Sequence, residues 1–258
     1  MLINCKIISN LRYKANYFKI TFDASDIAKK ATPGQFIHLK IEGLRNKILR
    51  RPFSINDNEN GQIKILYKLV GEGTEFLSTL PPGTICNILG PLGKGFTIYQ
   101  DKIPVIITGG YGTAATYMLA KVSRKGFLLA GAKSSSELVL IEDYKKLGFE
   151  ISISTDDGSE GKKALVTELV EDFIRKNKTN ISDFAFYACG PEGMLIALTK
   201  ILLNNKLDAE ISLDHMMCCG VGACLACVVR VKKPGGGWTY SRTCKDGPVF
   251  NASNLFLD

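Results

Sequence analysis

The rhythm of hydrophobic and polar positions changes twice along the chain. Up to about residue 90, apolar residues gather in short runs at 17–22, 35–41, 63–69 and 84–89. Between them stand Pro33-Gly34, Asn56-Asp57, Asn60-Gly61 and Pro81-Pro82-Gly83, all turn formers. Short strands punctuated in this way, without sustained helical periodicity, predict a small antiparallel β-barrel. After Pro91-Leu92-Gly93 the pattern alternates. Strand-like runs at 104–108, 127–132, 150–155, 184–189 and 209–213 enclose helix-length amphipathic stretches at 114–123, 136–147, 164–175 and 192–204. Strand and helix in strict alternation predict a parallel sheet wound by right-handed crossovers, a dinucleotide-type α/β domain. From about residue 214 the chain has too few apolar residues for a core of its own, so a bound metal centre is expected to hold it together. The fold class is therefore multidomain α+β and α/β, divided at 1–98, 99–213 and 214–258.

Composition adds little to this picture. A length of 258 residues suits two folding units, and 45% hydrophobic with 22% charged residues is ordinary for a globular protein. The formal charge of +8 raises nucleic-acid binding as a reading, but the lysines are scattered and no basic-aromatic stripe or nucleic-acid motif occurs. A solvated basic surface, or a face for an acidic partner, fits better. The opening residues lack a secretory pattern and no apolar run reaches membrane-spanning length, so a cytoplasmic protein is expected.

Cysteine placement changes the picture more. Of eight cysteines, Cys5, Cys86 and Cys189 stand alone in apolar contexts, whereas Cys218, Cys219, Cys224, Cys227 and Cys244 crowd the last fifth of the chain. Clustered cysteines in a reducing compartment read as a metal site. Cys219, Cys224 and Cys227 followed by Cys244 form a C-x4-C-x2-C…C series, the plant-type ferredoxin spacing for a 2Fe-2S cluster. Structural zinc, the alternative, usually takes two short ligand pairs. Thiolates and sulfides outweigh the iron charge, so backbone N–H groups must approach the sulfur closely, and Gly220, Gly222 and Ala223 permit that. The register of Gly220 favours Cys219 over Cys218 as first ligand.

Other motifs sit upstream. Arg51 beside Pro52, Phe53 and Ser54 offers a bidentate guanidinium and a hydroxyl to a pyrophosphate. Gly71-Glu72-Gly73-Thr74 opens an amphipathic stretch at 75–80 and presents free N–H groups to an anion. In the second unit, Gly109, Gly110 and Gly112 follow a strand and precede a helix, without matching G-x-G-x-x-G. Asp156 and Cys189-Gly190-Pro191 lie at the ends of other strands, where ligands bind in open parallel sheets. Asp156 could contact a ribose or cap its turn. Cys189 could equally be a buried small hydrophobe, and Tyr67 a sheet aromatic. His38 and His215 read as structural or surface residues.

Together these segments resemble the ferredoxin-reductase flavoprotein family. The resemblance implies FAD on the barrel, contacted by Arg51, Pro52, Phe53, Ser54, Leu66, Tyr67, Lys68, Gly73 and Thr74. It implies NAD(H) on the second unit, at Gly109, Gly110, Gly112, Asp156, Cys189, Gly190 and Pro191. Thr108 and Ala115 depart from the family's usual glycine and proline there. The order of barrel, nucleotide domain and C-terminal 2Fe-2S loop, with Arg242-Thr243-Cys244-Lys245-Asp246-Gly247-Pro248 near the end, looks like the electron-transfer subunits of type B dihydroorotate dehydrogenase. That likeness implies an FMN-containing catalytic partner in a two-plus-two heterotetramer, with NAD as acceptor, in pyrimidine (UMP) biosynthesis. Subunits of ferredoxin:NADP oxidoreductases and sulfhydrogenases share the layout, and an iron-sulfur sensor module with decayed nucleotide sites is an alternative of another class.

Overall fold

The structure, a computed structural model, describes residues 1–41, 43 and 48–256. Seven strands make the first sheet: β1 (Leu2–Lys14), β2 (Tyr17–Asp23), β3 (Phe36–Lys40), β4 (Arg51–Ser54), β5 (Asp57–Glu59), β6 (Gln62–Lys68) and β7 (Ile85–Leu92). They pair antiparallel throughout, in the order β4-β3-β7-β1-β2-β6-β5, and β4 lies against β6 to draw the sheet into a barrel. Helices α1 (Ser25–Ala28) and α2 (Glu72–Thr79) flank it. Ile20, Phe22, Ile37, Leu39, Ile63, Ile65 and Ile88 fill its interior. Strand β1 escapes the hydrophobic pattern because, of its thirteen residues, only Cys5 and Ile7 are buried.

β3 breaks the in-and-out rule. Ile37 and Leu39 face the barrel core, yet Phe36 and His38 on the opposite face are also buried. Strands covered on both faces lose their alternation, and the cover here is the cysteine-bearing segment.

The second sheet carries β8 (Ile103–Gly109), β9 (Gly126–Ala132), β10 (Phe149–Thr155), β11 (Lys162–Lys163), β12 (Phe184–Cys189) and β13 (Ala209–Ser212), with helices α3 (Gly112–Ser123), α4 (Ile141–Lys146), α5 (Val166–Lys176) and α6 (Glu192–Asn204). Its parallel strands run β11-β10-β9-β8-β12-β13. Successive strands lead away from β8 through β9 and β10 on one side, and from β12 to β13 on the other. The switch point between β8 and β12 leaves a crevice at their carboxyl ends, the place where open α/β sheets bind ligands. The helix expected at 136–147 is shorter. A 3-10 turn at Ser135–Glu137 precedes α4, and Leu140, with φ of +61°, divides them. Leu138, Val139 and Leu140 are all buried, and three consecutive apolar residues cannot share one helix face.

The C-terminal segment forms a hairpin of β14 (Val228–Lys232) and β15 (Trp238–Arg242), then β16 (Val249–Asn251). β16 pairs antiparallel with β13 and so completes the α/β sheet, while Val229, Ala252 and Leu255 enter that sheet's core. A metal centre is thus not the segment's only anchor, as its sparse apolar content had suggested. Those apolar residues pack onto a core built by earlier strands. Among the described residues, no helix is long and apolar enough to cross a membrane.

Candidate functional site

A cavity of about 270 Å³ opens between the barrel, the carboxyl ends of β8 and β12, and the start of the C-terminal segment. That is near the low end of ligand pockets, roughly 300–1,000 Å³, and admits a ring system rather than a whole dinucleotide. Of the barrel residues singled out from sequence, Pro52, Phe53, Ser54, Leu66, Tyr67, Lys68 and Thr74 line it, and from the second sheet Cys189 does. Arg51 instead lines an adjoining open hollow with Arg50, His215 and Met216. Its guanidinium lies over Gly73, where an added Cβ would stand 3.4 Å from Nε. The guanidinium and the N–H groups that open α2 therefore meet beside the cavity, in a turn that also carries Glu72 and Glu75.

Several of these side chains are already engaged. The Thr74 hydroxyl accepts the Val70 N–H at 2.9 Å and donates to the Gly71 carbonyl at 2.9 Å, capping its own helix. Tyr67 stacks on Phe18 and donates its hydroxyl to Asn10 Oδ1 at 3.0 Å, so it is a sheet aromatic that also walls the cavity. Lys68 pairs with Glu137 at 2.7 Å, tying the barrel to the turn after β9. Burial pushes the Cys189 thiol up to about 12, which leaves it an inert wall rather than a nucleophile.

The glycines at the sheet switch serve packing. A Cβ on Gly109 would stand 2.7 Å from both Met194 Sδ and Pro191 Cδ; one on Gly112 would overlap the Cys189 carbonyl, and one on Gly190 would meet Met194 Cε at 2.6 Å. The two strand-end turns thus fit only without side chains. Thr108, where a glycine was expected, is fully buried in β8 and accepts a 3.0 Å hydrogen bond from Thr113. Asp156 is exposed and its carboxylate makes no hydrogen bond among the described residues, whereas Asp157 accepts from the Ser159 N–H and hydroxyl. Sequence reasoning missed Phe36, Tyr111, Asp214 and Met217, which also line the cavity. Tyr111 donates to Asp214 Oδ2 at 2.9 Å, joining the switch turn to the C-terminal segment.

Beyond Met217 lies the cysteine loop. Val221, Ala223 and Cys224 donate backbone N–H groups to Cys219 Sγ at 3.5, 3.3 and 3.4 Å. Burial would raise the Cys219 thiol, but those N–H groups outweigh it and bring it down to about 6. Cys218 accepts no such backbone bond among the described residues, and its thiol lies beside that of Cys224. The hairpin places Cys227 and Cys244 together, with the Cys244 N–H donating to Cys227 Sγ at 3.4 Å. Burial, then the Cys227 thiol, pushes Cys244 up to about 12. Asp246 clamps the turn that carries Cys244, accepting from Arg242 Nε at 2.8 Å and Nη2 at 3.1 Å, and Arg242 Nη1 reaches back to the Gly222 carbonyl at 3.3 Å.

Among the described residues, no three ligating side chains converge on one point. The Cys224 thiol lies beside both Cys219 and Cys218, and the Cys244 thiol lies beside Cys227. Thiols contributed by the loop on one side and by the hairpin on the other suit a two-iron cluster, in which each iron takes two protein ligands, better than a single tetrahedral zinc. The N–H groups gathered on Cys219 are what an anionic cluster needs. The donor set therefore fits the group.

A barrel with a flavin-sized cavity, a parallel nucleotide sheet and a four-thiol loop define a flavoprotein reductase of the ferredoxin-reductase type with an iron-sulfur domain. Two families match parts of the chain: the oxidoreductase FAD-binding domain at residues 4–96, and the iron-sulfur cluster binding domain of dihydroorotate dehydrogenase B at residues 214–256. The chain is 38% identical to the dihydroorotate dehydrogenase B (NAD(+)) electron transfer subunit of Caldanaerobacter subterraneus subsp. tengcongensis, over 99% of this chain and 98% of that one. To the subunit of the same name from Fusobacterium nucleatum it is 34% identical, again over 99% and 98%. It also superposes, with a TM-score of 0.81 and 26% identity, on a chain of the NADH-dependent reduced ferredoxin-NADP oxidoreductase, covering 98% of this chain and 90% of that one. The chain belongs to the family of dihydroorotate dehydrogenase B electron transfer subunits.

Proposed function

We propose that this chain works as the electron transfer subunit of a dihydroorotate dehydrogenase: it relays electrons from the FMN of a catalytic partner subunit to NAD+, in pyrimidine biosynthesis in the cytoplasm. When bound, FAD exchanges hydride with nicotinamide and single electrons with a 2Fe-2S centre, so the pair of cofactors joins one-electron to two-electron chemistry. Cys219, Cys224, Cys227 and Cys244 are the cluster ligands in this reading. Arg51 and the Gly73 turn hold the FAD pyrophosphate, and Pro52, Phe53, Ser54, Leu66, Tyr67, Lys68 and Thr74 enclose its ring. Gly109, Gly110, Gly112, Cys189, Gly190 and Pro191 shape the nicotinamide side, with Asp156 directed at a ribose. The units divide at 1–98, 99–213 and 214–258, with β16 of the last returned to the second.

One observation carries the reading. Phe36 and Met217 line the cavity and also pack in one apolar cluster with Cys227 and Cys244. The flavin cavity and two cluster ligands thus share a wall of single side chains, which excludes water from the path between them. The sensor alternative has less support, since Thr108 is absorbed into the strand and Ala115 lines the cavity without obstructing it. Co-purification tests the proposal. The chain should bring down an FMN-containing dehydrogenase, and the complex should reduce NAD+ with dihydroorotate. A ferredoxin-reducing or hydrogenase partner would contradict it.

A further inference from the structure

The reductase reading makes no use of His38, yet His38 is one of the most constrained polar groups in the molecule. It lies mid-strand on β3, on the face opposite the barrel core, and is fully buried. Neither Nδ1 nor Nε2 makes a well-aligned hydrogen bond; the Cys219 carbonyl lies within reach of the ring without being aligned as its acceptor. An imidazole carries at least one N–H in either charge state, and a buried N–H left unpaired bears its desolvation cost without return. So poorly paired a ring, held against the first ligand of the cysteine loop, points to an acceptor on that loop better placed than the carbonyl.

The ring's surroundings show where that acceptor would be. Nδ1 faces Gly220: a Cβ built there would stand 2.5 Å from Nδ1 and 2.9 Å from Cε1, so the loop closes on the imidazole only because residue 220 is glycine. Gly220 directly follows Cys219. Phe36 packs edge-on to the imidazole, 6.3 Å between centroids, and belongs to the apolar cluster that holds Cys227 and Cys244. His38 is therefore enclosed by the sulfur-bearing segment on its exposed side. Cys219 Sγ already receives three backbone N–H groups from its own loop, whereas His38 comes from the flavin barrel.

We infer that His38 is an N–H donor to sulfur at the cluster, supplied by the barrel, and that it sets the cluster's reduction potential as well as seating the loop. The inference rests on the four cysteines holding a 2Fe-2S centre. An N–H to sulfur favours the more negative, reduced state. Its loss should therefore lower the midpoint potential, and a tenfold shift of the equilibrium corresponds to about 59 mV for one electron.

The chain has two histidines, which makes the test specific. The full-length chain, labelled with 15N at the histidine ring nitrogens only and assembled with unlabelled partner, is reduced with dithionite and examined by pulsed EPR. A 15N coupling to the cluster spin is expected in the parent and in His215→Gln, and its absence from His38→Phe assigns it. Redox titration should give a lower potential in His38→Phe, with partial recovery in His38→Gln, which retains an N–H. A cluster signal without histidine coupling in the parent, or equal potentials in all three proteins, would overturn the inference. Absence of any 2Fe-2S signal from the parent would instead remove the reading beneath it. Should His38→Phe not assemble, the parent and His215→Gln spectra still decide, because a coupling that survives in His215→Gln can come only from His38.

Discussion

Gly220→Ala tests how the cysteine loop is seated. The new methyl would stand 2.5 Å from His38 Nδ1, at a φ of +71°. An alanine in the left-handed region loses ~1–2 kcal/mol, and overpacking against a ring with no free space adds ~1–3 kcal/mol. Gly235, in the hairpin turn, is the control. Its φ is +89°, but nothing lies within 4 Å of an added Cβ, so only the backbone loss applies. For a chain of this size each kcal/mol moves Tm by ~2–4 °C, giving an expected fall of ~4–20 °C for Gly220→Ala and ~2–8 °C for Gly235→Ala. Thermal unfolding, with iron and sulfide content measured alongside, provides the readout. In a His38→Ala background the Gly220→Ala penalty should shrink to that of Gly235→Ala, and a double-mutant cycle isolates the difference. Equal penalties in both backgrounds would refute the contact.

Three further outcomes are expected. Asp57 is buried between Lys64 of β6 and Lys121 of α3, at 2.9 and 2.8 Å, so it ties the barrel to the second sheet. Burial would raise its carboxyl, but the two lysines outweigh this and hold it below the usual carboxylate value of 3.8. With a depressed folded value the stabilisation is complete above the unfolded value of 3.8, fades below it and is gone once pH falls through the folded value; in an acid titration the stabilities of parent and Asp57→Asn should differ by ~1–3 kcal/mol at neutral pH and draw together only as pH falls below 3.8. Thiol reagents at pH 8 should leave Cys5 and Cys189 unlabelled in the folded protein, since burial pushes both up to about 12, and mass spectrometry should find them labelled only after unfolding. Arg242→Met should release the Thr243-Cys244 turn from Asp246; the pair is one-third exposed and screened by solvent, so faster iron loss to a chelator should appear with little change in Tm.

The architecture was legible because each unit obeys its own period. The strand-helix alternation after Gly93 placed α6 at Glu192–Asn204 and β9 and β10 within a residue of their ends. The cysteine spacing and the barrel motif likewise stood out, since their chemistry depends on local sequence. What could not be read depends on contacts distant in sequence. Phe36 and His38 look like ordinary strand residues until the C-terminal segment covers their face. Nothing near Met217 announces that it spans the flavin cavity and the cysteine cluster. Tyr111 interrupts a glycine turn with no local sign that its hydroxyl meets Asp214. β16 carries three residues of little periodicity, and only an unpaired edge at β13 explains it. Conversely, Gly109, Gly112 and Gly190 were legible as glycines for cofactor approach, whereas the structure uses their lack of side chains to pack two turns together.

The central claim is that nicotinamide, flavin and the four-cysteine cluster form one connected path in this chain. An anaerobic NADH titration of the purified complex, followed by visible absorbance, tests it most directly. NADH should bleach both the flavin and the 2Fe-2S bands in the parent, and only the flavin band in Cys224→Ser. Flavin and cluster bands that both persist in the parent under excess NADH would contradict the claim.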